Sequence, residues 1–294
     1  MKRKTIGIFV ISTLLFLICI CIIVATPLIW SHIRPQPREK NEILFQGVKY
    51  IRDVRQSPRQ MVVHIVIIDL KTPGLSFLVT PGEGDEELPL KARTTSEFLS
   101  DFDLQLAING DGFTPWYSNS IFDYYPHSGD PVAPIGFAAS RGEIYSQVTD
   151  DEPVLYISRA NRVQFNRPPG KIYNAISGNQ MLVEKGKPLP SPDKELQPRT
   201  AIGIDRQERR LIIVVIDGRQ PGYSAGASRR EVADILIEFG AFSAMNLDGG
   251  GSSTLVKQGL FQPVVLNSPI DHGIPKRQRV VGNHFGVYAP PIDQ

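Results

Sequence analysis

Two aspartates stand where apolar runs stop and glycine begins. Residues 211–216 (LIIVVI) end in Asp217-Gly218-Arg219, and residues 242–247 end in Asp248-Gly249-Gly250-Gly251-Ser252-Ser253. A third such end follows residues 104–108, which run into Asn109-Gly110-Asp111-Gly112. Asp-Gly and Asn-Gly pairs also make plain turns, but three acidic or amide strand ends in one domain point to a site. The consecutive glycines free the backbone for left-handed conformations. The N–H groups of Gly249, Gly250 and Gly251 can then converge on an anion, with the Ser252 and Ser253 hydroxyls beside them. No Lys follows the glycines, so this is not a Walker loop. Residues 253–256 after it read as a strand, which excludes a dinucleotide fingerprint.

Arginines supply the other half of an anion site. Arg199 precedes the apolar run 200–204, Arg219 follows Asp217, and Arg279 precedes Val280-Val281-Gly282-Asn283. A guanidinium can hold two phosphate oxygens at once. His64 alternates with apolar residues in a strand and reads as structural. His127, His272 and His284 are acid–base candidates, but no histidine spacing supports a zinc site. Ser224 and Ser252 lie in no G-x-S-x-G elbow, which weakens a serine-hydrolase reading. Both cysteines, Cys19 and Cys21, precede residue 30. The rest of the chain therefore has no disulfide, thiol nucleophile or thiolate metal site.

These residues need elements to position them. Thr94 and Glu97 have capping-box spacing ahead of Phe98, Leu99 and Phe102. Ser228 and Glu231 repeat it ahead of Val232, Ile235, Leu236 and Phe239, with Gly240 at the C-terminal cap. Strand 211–216, this helix and strand 242–247 form a βαβ unit, whose strands should be parallel. Asp217 and Asp248 then share the carboxyl edge where ligands bind in open α/β sheets. Ala107-Ile108-Asn109-Gly110-Asp111-Gly112 echoes Ala244-Met245-Asn246-Leu247-Asp248-Gly249 as A-x-N-x-D-G. Residues 61–70 and 76–80 read as strands. Residues 114–134, with Trp116, Tyr117, Phe122, Tyr124 and Tyr125, show no steady period and suit a lid or binding loop. Residues 185–198 read as a Pro-rich surface loop.

The chain has 294 residues, with 32 basic and 30 acidic side chains and a net charge of +2. That balance, with no basic stripe, argues against a nucleic-acid partner. Residues 5–30 are apolar, uncharged and preceded by Lys2, Arg3 and Lys4. This is the length of a membrane-spanning helix, and the small-x-small cleavage pattern is poor. An uncleaved signal anchor is favoured over a cleaved signal peptide. It would place the remainder on the extracytoplasmic side, periplasmic or at the cell surface. With cleavage the domain would be secreted. The expected architecture is α+β: a twisted mixed sheet with a C-terminal βαβ unit and flanking helices, preceded by one transmembrane helix. Residues 1–30 would be the anchor, 31–45 a Pro- and charge-rich stalk, and 46–294 the catalytic domain.

Three motifs in order carry a resemblance. Arg199-Thr200-Ala201-Ile202-Gly203, Val215-Ile216-Asp217-Gly218-Arg219-Gln220 and Asn246 through Thr254 resemble the phosphodiester glycosidase family. The likeness runs from about Leu104 to Tyr288, and Arg279-Val280-Val281-Gly282-Asn283 looks like the family's C-terminal segment. The sequence departs from the pattern after Asn109-Gly110, where Asp111-Gly112-Phe113 leads into Thr114-Pro115-Trp116. The resemblance implies hydrolysis of the anomeric C–O bond of a glycosyl-1-phosphodiester, with a surface or exported polysaccharide as the setting. Asp248 and Asp217 would stabilise the oxocarbenium or activate water. Arg199, Arg219 and Arg279, with Thr200 and the loop from Gly249 to Ser253, would hold the phosphate. Asn109 and Asn246 would orient the sugar, Asp111 would be a further substrate- or phosphate-binding residue, and Trp116 or Tyr117 would stack on the sugar. Two rivals stay open. One is a phosphodiesterase breaking P–O with a divalent cation between Asp217 and Asp248. The other is a non-catalytic module binding an anionic polysaccharide. No other cofactor is called for.

Overall fold

The computed structural model describes residues 13–22, 34–147 and 152–292. Its main sheet has eight strands, and Lys40–Phe45, inside the stretch expected as a stalk, forms one edge. Val48–Arg55 and Met61–Asp69 follow it, then Arg210–Ile216, Arg199–Ile204, Ser243–Asn246, Gln180–Glu184 and Lys187–Pro188.

The Arg210–Ile216 strand shows why an unbroken apolar run is needed at the centre. Its alternate residues face opposite ways. Leu211, Ile213 and Val215 join Phe77, Val79, Leu106, Ile108 and Phe285 in one core. Ile212, Val214 and Ile216 join Val232, Ala233, Ile235 and Leu236 of the Arg229–Glu238 helix in another. The first core lies between the main sheet and a five-stranded sheet ordered Val264–Val265, Leu255–Lys257, Leu106–Asn109, His284–Tyr288 and Ser76–Val79. The Thr95–Asp101 helix covers the far side of that second sheet through Phe98 and Leu99. A third sheet, which includes Asn174–Ser177 and Val154–Ile157, closes the first core through Ile176, Leu155 and Ile157. Both expected capping boxes are formed, with side chain and backbone bonded reciprocally at Thr94 and Glu97 and at Ser228 and Glu231.

Two parts of the expected architecture are corrected. The fold is mostly β, with 41% strand against 11% helix, rather than α+β with a βαβ unit. Arg210–Ile216 and Ser243–Asn246 do run in the same direction. Arg199–Ile204 nevertheless lies between them and is antiparallel to both. The reason is the short connection from Asp205 to Arg209, which makes Arg199–Ile204 and Arg210–Ile216 a hairpin, whereas a parallel neighbour needs a crossover. The region read as irregular also holds short strands, among them the Tyr117–Ser120 and Asp123–Tyr125 hairpin.

The transmembrane helix is the second correction. Among the described residues no helix is long and apolar enough to cross a membrane. Residues 13–22 are helical, and the rest of the expected anchor lies outside the described residues. Beyond it, Arg34 is buried, with its guanidinium 3.5 Å from the Tyr223 ring centre and bonded to Ser268 Oγ at 2.8 Å and to the Gln220 side chain.

Candidate active site

The three glycine-flanked strand ends meet, although they come from two sheets. Arg210–Ile216 and Ser243–Asn246 deliver Asp217 and Asp248 to one edge of the main sheet, and Leu106–Asn109 of the second sheet arrives beside them. The Asp248 N–H donates to Gly110 O at 3.0 Å, and Asn109 Nδ2 donates to Asp248 O at 2.7 Å. Thr200 Oγ1 donates to Asn109 Oδ1 at 2.8 Å, and the Thr254 N–H reaches the same oxygen at 3.1 Å. Asn109 and Thr200 are fully buried and spent on this joint. Asn246 is also buried, with its Nδ2 on Asn179 Oδ1 at 2.9 Å and Leu247 O at 2.6 Å. All three hold strand ends together and lie away from the cavity.

That cavity, of about 240 Å³, is lined by Gly112, Phe113, Trp116, Ile135, Asp248, Ser252 and Arg279. Among the described residues Asp248 is the only carboxylate in its wall. Burial raises the Asp248 carboxyl, while Ser252, the Arg279 charge and the Gly249 N–H work against that. Behind it sits Asp111, 3% exposed. Its carboxyl accepts from Ser177 Oγ and from the Gly112 and Gly136 N–H groups. Burial, with the Asp248 charge adding to it, pushes Asp111 up to about 6. Burial disfavours the charged form of each carboxyl, and at Asp111 the Asp248 charge adds to it. The second carboxyl facing Asp248 is therefore Asp111, read from sequence as a binding group.

Asp217 is placed differently. It is 1% exposed and both its oxygens are taken. Oδ1 accepts from the Ser268 N–H at 2.7 Å and Asn267 Nδ2 at 3.2 Å. Oδ2 meets His64 Nε2 at 3.1 Å and the Tyr223 hydroxyl at 3.2 Å. His64 in turn bonds Tyr50 through Nδ1 at 2.8 Å. This network ties four segments of chain together. It leaves no lone pair for a cation between Asp217 and Asp248, so the residues do not fit that metal. Among the described residues, no group of three or more His, Cys, Asp or Glu is arranged to hold one elsewhere.

The glycine loop and the arginines also divide. The Gly249 N–H donates to Asp248 Oδ1 at 2.8 Å and the Gly250 N–H to Pro198 O at 2.9 Å. Ser252 and Ser253 donate back to Gly249 and Gly250 as the 3₁₀ turn Gly250–Ser252 closes. The loop thus uses most of the N–H groups expected to bind an anion. It offers close approach instead. A side chain at Gly250 would meet the Arg219 guanidinium at 3.3 Å, and one at Gly251 would run into the Arg279 guanidinium. Ser253 is fully buried. Arg199 is 4% exposed and committed to Asp193 at 2.9 Å, Glu195 O at 2.8 Å and Ala227 O at 3.0 Å. Arg219 and Arg279 are the arginines at the loop. Arg279 is aimed by Asp271, which accepts from its Nε at 2.9 Å. His284 is buried, and its imidazole is pushed down to about 3, chiefly by burial, so it stays neutral.

The phosphodiester glycosidase pattern matches residues 102–288, which hold Asp111, Asp217, Asp248, Arg219 and Arg279. The chain belongs to the phosphodiester glycosidase family. A curated relative is bovine N-acetylglucosamine-1-phosphodiester alpha-N-acetylglucosaminidase, 35% identical over 77 residues. That match spans 26% of this chain and 13% of the bovine protein. Among solved structures, the zebrafish enzyme of the same name, a catalytic domain auto-inhibited by its pro-peptide, superposes with a TM-score of 0.60 at 20% identity. The match covers 87% of this chain and 85% of that one. A hypothetical protein from Synechocystis gives 0.57 at 17% identity over 86% of this chain and 64% of its own. At these identities the superpositions establish a shared fold.

In this member of the family, Gly251 is expected to tolerate no side chain without moving Arg279. Gly251→Ala must displace Arg279, so turnover should fall about 10- to 100-fold, as for a misplaced positioning group. Tm should change far less, because Arg279 lies at the surface of the cavity. Steady-state kinetics alongside thermal melts check this, and wild-type turnover in the alanine variant would free Arg279 from any role.

Ser177, Asp193, Asn267, Ser268 and Asp271 were not legible as site residues. Ser177, Asn267 and Ser268 act on a candidate from a segment remote in sequence, Asp193 and Asp271 from a nearby loop, and none carries a local motif.

Proposed function

We propose that this chain hydrolyses the anomeric C–O bond of a glycosyl-1-phosphodiester, in the metabolism of a surface or exported polysaccharide. The observation that supports this is a cavity whose wall holds Asp248 and Arg279, with the buried Asp111 carboxyl behind it, held up in part by the Asp248 charge. In this reading the anomeric carbon lies beside Asp248, whose carboxylate stabilises oxocarbenium charge or takes a proton from attacking water. The water oxygen bonds to carbon, and the phosphomonoester leaves with the electron pair of the C–O bond. The leaving group is already anionic, so it needs charge stabilisation from Arg279 and Arg219 more than protonation. Asp111 is a positioning residue, holding the turn at Gly112 behind Asp248 through its bonds to Ser177 and the Gly112 and Gly136 N–H groups.

The test is product analysis on a panel of sugar-1-phosphodiesters. Free sugar from wild type and not from Asp248→Asn supports the proposal, whereas sugar-1-phosphate as the product would mean P–O cleavage.

Asp111 also has a stability signature. Its folded value lies above the ordinary 3.8, so the charge is tolerated worse in the native state. That cost is absent below about pH 4 and grows as pH rises through about 6, to about 3 kcal/mol at most. Asp111→Asn keeps an acceptor for Ser177 and removes the charge. It is expected to raise Tm at pH 8, to match wild type near pH 4, and to lower turnover. A Tm difference equal at both pH values would rule out burial of charge as its cause.

A further inference from the structure

A second, smaller lobe opens beside the cavity and shares Trp116 and Arg279 with it. Its volume of about 150 Å³ is below the roughly 300–1,000 Å³ of sites for drug-sized ligands, so it takes a single small unit. One buried carboxylate organises it. Asp271 is 3% exposed, and it accepts from Arg279 Nε at 2.9 Å, lies 3.4 Å from Arg277 Nε and pairs with His272 Nδ1 at 2.7 Å. Asp271 thus holds both guanidiniums in the lining of the lobe by their Nε edges. Arg277 stacks over Tyr124 at 5.5 Å and Arg279 over Trp116 at 5.3 Å. Tyr124 packs edge-on to His272 at 5.3 Å, and Ser118 bonds its Nε2 at 2.8 Å, so the aromatic hairpin is docked onto the Asp271 loop.

Cation outnumbers carboxylate two to one in this lining. Arg277 adds a cation that the first cavity does not hold, and Asp271 is shared between it and Arg279. The lining is polar and aromatic, which suits a sugar ring rather than an acyl chain.

We propose that this lobe binds the leaving-group side of a repeating glycosyl-phosphate chain, with a sugar ring against Trp116 and Tyr124 and the next phosphate on Arg277. The proposal rests on the hydrolase reading above and extends it to substrate class. Two probes test it: the methyl diester of N-acetylglucosamine 1-phosphate, and a synthetic dimer of N-acetylglucosamine 1-phosphate units. Arg277→Ala is expected to lower the ratio of kcat/KM for the dimer to that for the methyl diester at least tenfold, mainly through the dimer's KM. Tyr124→Ala should move the ratio the same way. An unchanged ratio in both variants would overturn the lobe assignment. Binding of the dimer to the Asp248→Asn protein, followed by tryptophan fluorescence, separates the two readings. Dimer binding weakened tenfold by Arg277→Ala without wild-type turnover of either probe would keep the lobe and sink the hydrolase. Dimer binding indifferent to Arg277→Ala would overturn the lobe even where hydrolysis is real.

Discussion

The Asp248→Asn protein is expected to melt within a few degrees of wild type and to release sugar from a phosphodiester about 1,000-fold more slowly, within the range for loss of an acid–base group. The substitution is nearly isosteric. An asparagine oxygen can still accept from the Gly249 N–H, which now donates to Asp248 Oδ1 at 2.8 Å. What is lost is the charge, and with it the ability to stabilise an oxocarbenium or hold a proton. Asp248 is the carboxylate in the cavity wall, so no neighbour can take its place. Turnover within tenfold of wild type would remove it from the reacting groups. The same variant should let Asp111 titrate lower, because the Asp248 charge helps to raise it.

The Asp217→Ala protein is expected to fail in the opposite way. Truncation strands the Ser268 N–H, Asn267 Nδ2, the Tyr223 hydroxyl and His64 Nε2 in a region sealed from water. Removing one partner from a buried hydrogen-bonded network costs about 3–5 kcal/mol. For a domain of this size that lowers Tm on the order of 10 °C. The protein that remains folded at low temperature should keep turnover within about tenfold of wild type, since the Asp217 oxygens do not line the cavity. Thermal melts paired with active-site-normalised rates distinguish the outcomes. A protein with wild-type Tm and no turnover would place Asp217 among the reacting groups after all.

The contrast between the two aspartates shows where sequence reading stops. Both follow an apolar strand, both precede glycine, and both end at the same sheet edge. Their roles diverge because of what faces them. Asp217 meets a histidine 153 residues away and a backbone N–H 51 residues away. Asp248 meets a cavity. The arginines divide on the same ground. Arg199 is neutralised by Asp193 from a loop that read as plain surface, while Arg279 is braced by Asp271 and left facing the glycines. Asp111 moved from a binding group to the partner of Asp248 because Ser177 and the Gly136 N–H, from elsewhere in the chain, complete its burial.

What could be read locally was read correctly where the physics is local. Both capping boxes depend on groups three residues apart, and each helix starts where its cap stands. The run 211–216 had to be a strand buried on both faces, because every residue in it is apolar. The glycine loop is the exception: it read as a nest of N–H donors, and it proved instead to leave room for the two guanidiniums. Sheet order was out of reach. A helix between two co-directional strands is compatible with adjacent strands or with one inserted between them, and the hairpin from Arg199 to Ile216 decided for insertion. Sequence by itself determined which residue types stand at the strand ends, because burial period, caps and turns act over a few residues. Tertiary structure alone decided which carboxyls are desolvated and which guanidiniums remain available, because desolvation and pairing are set by whichever segments close over them.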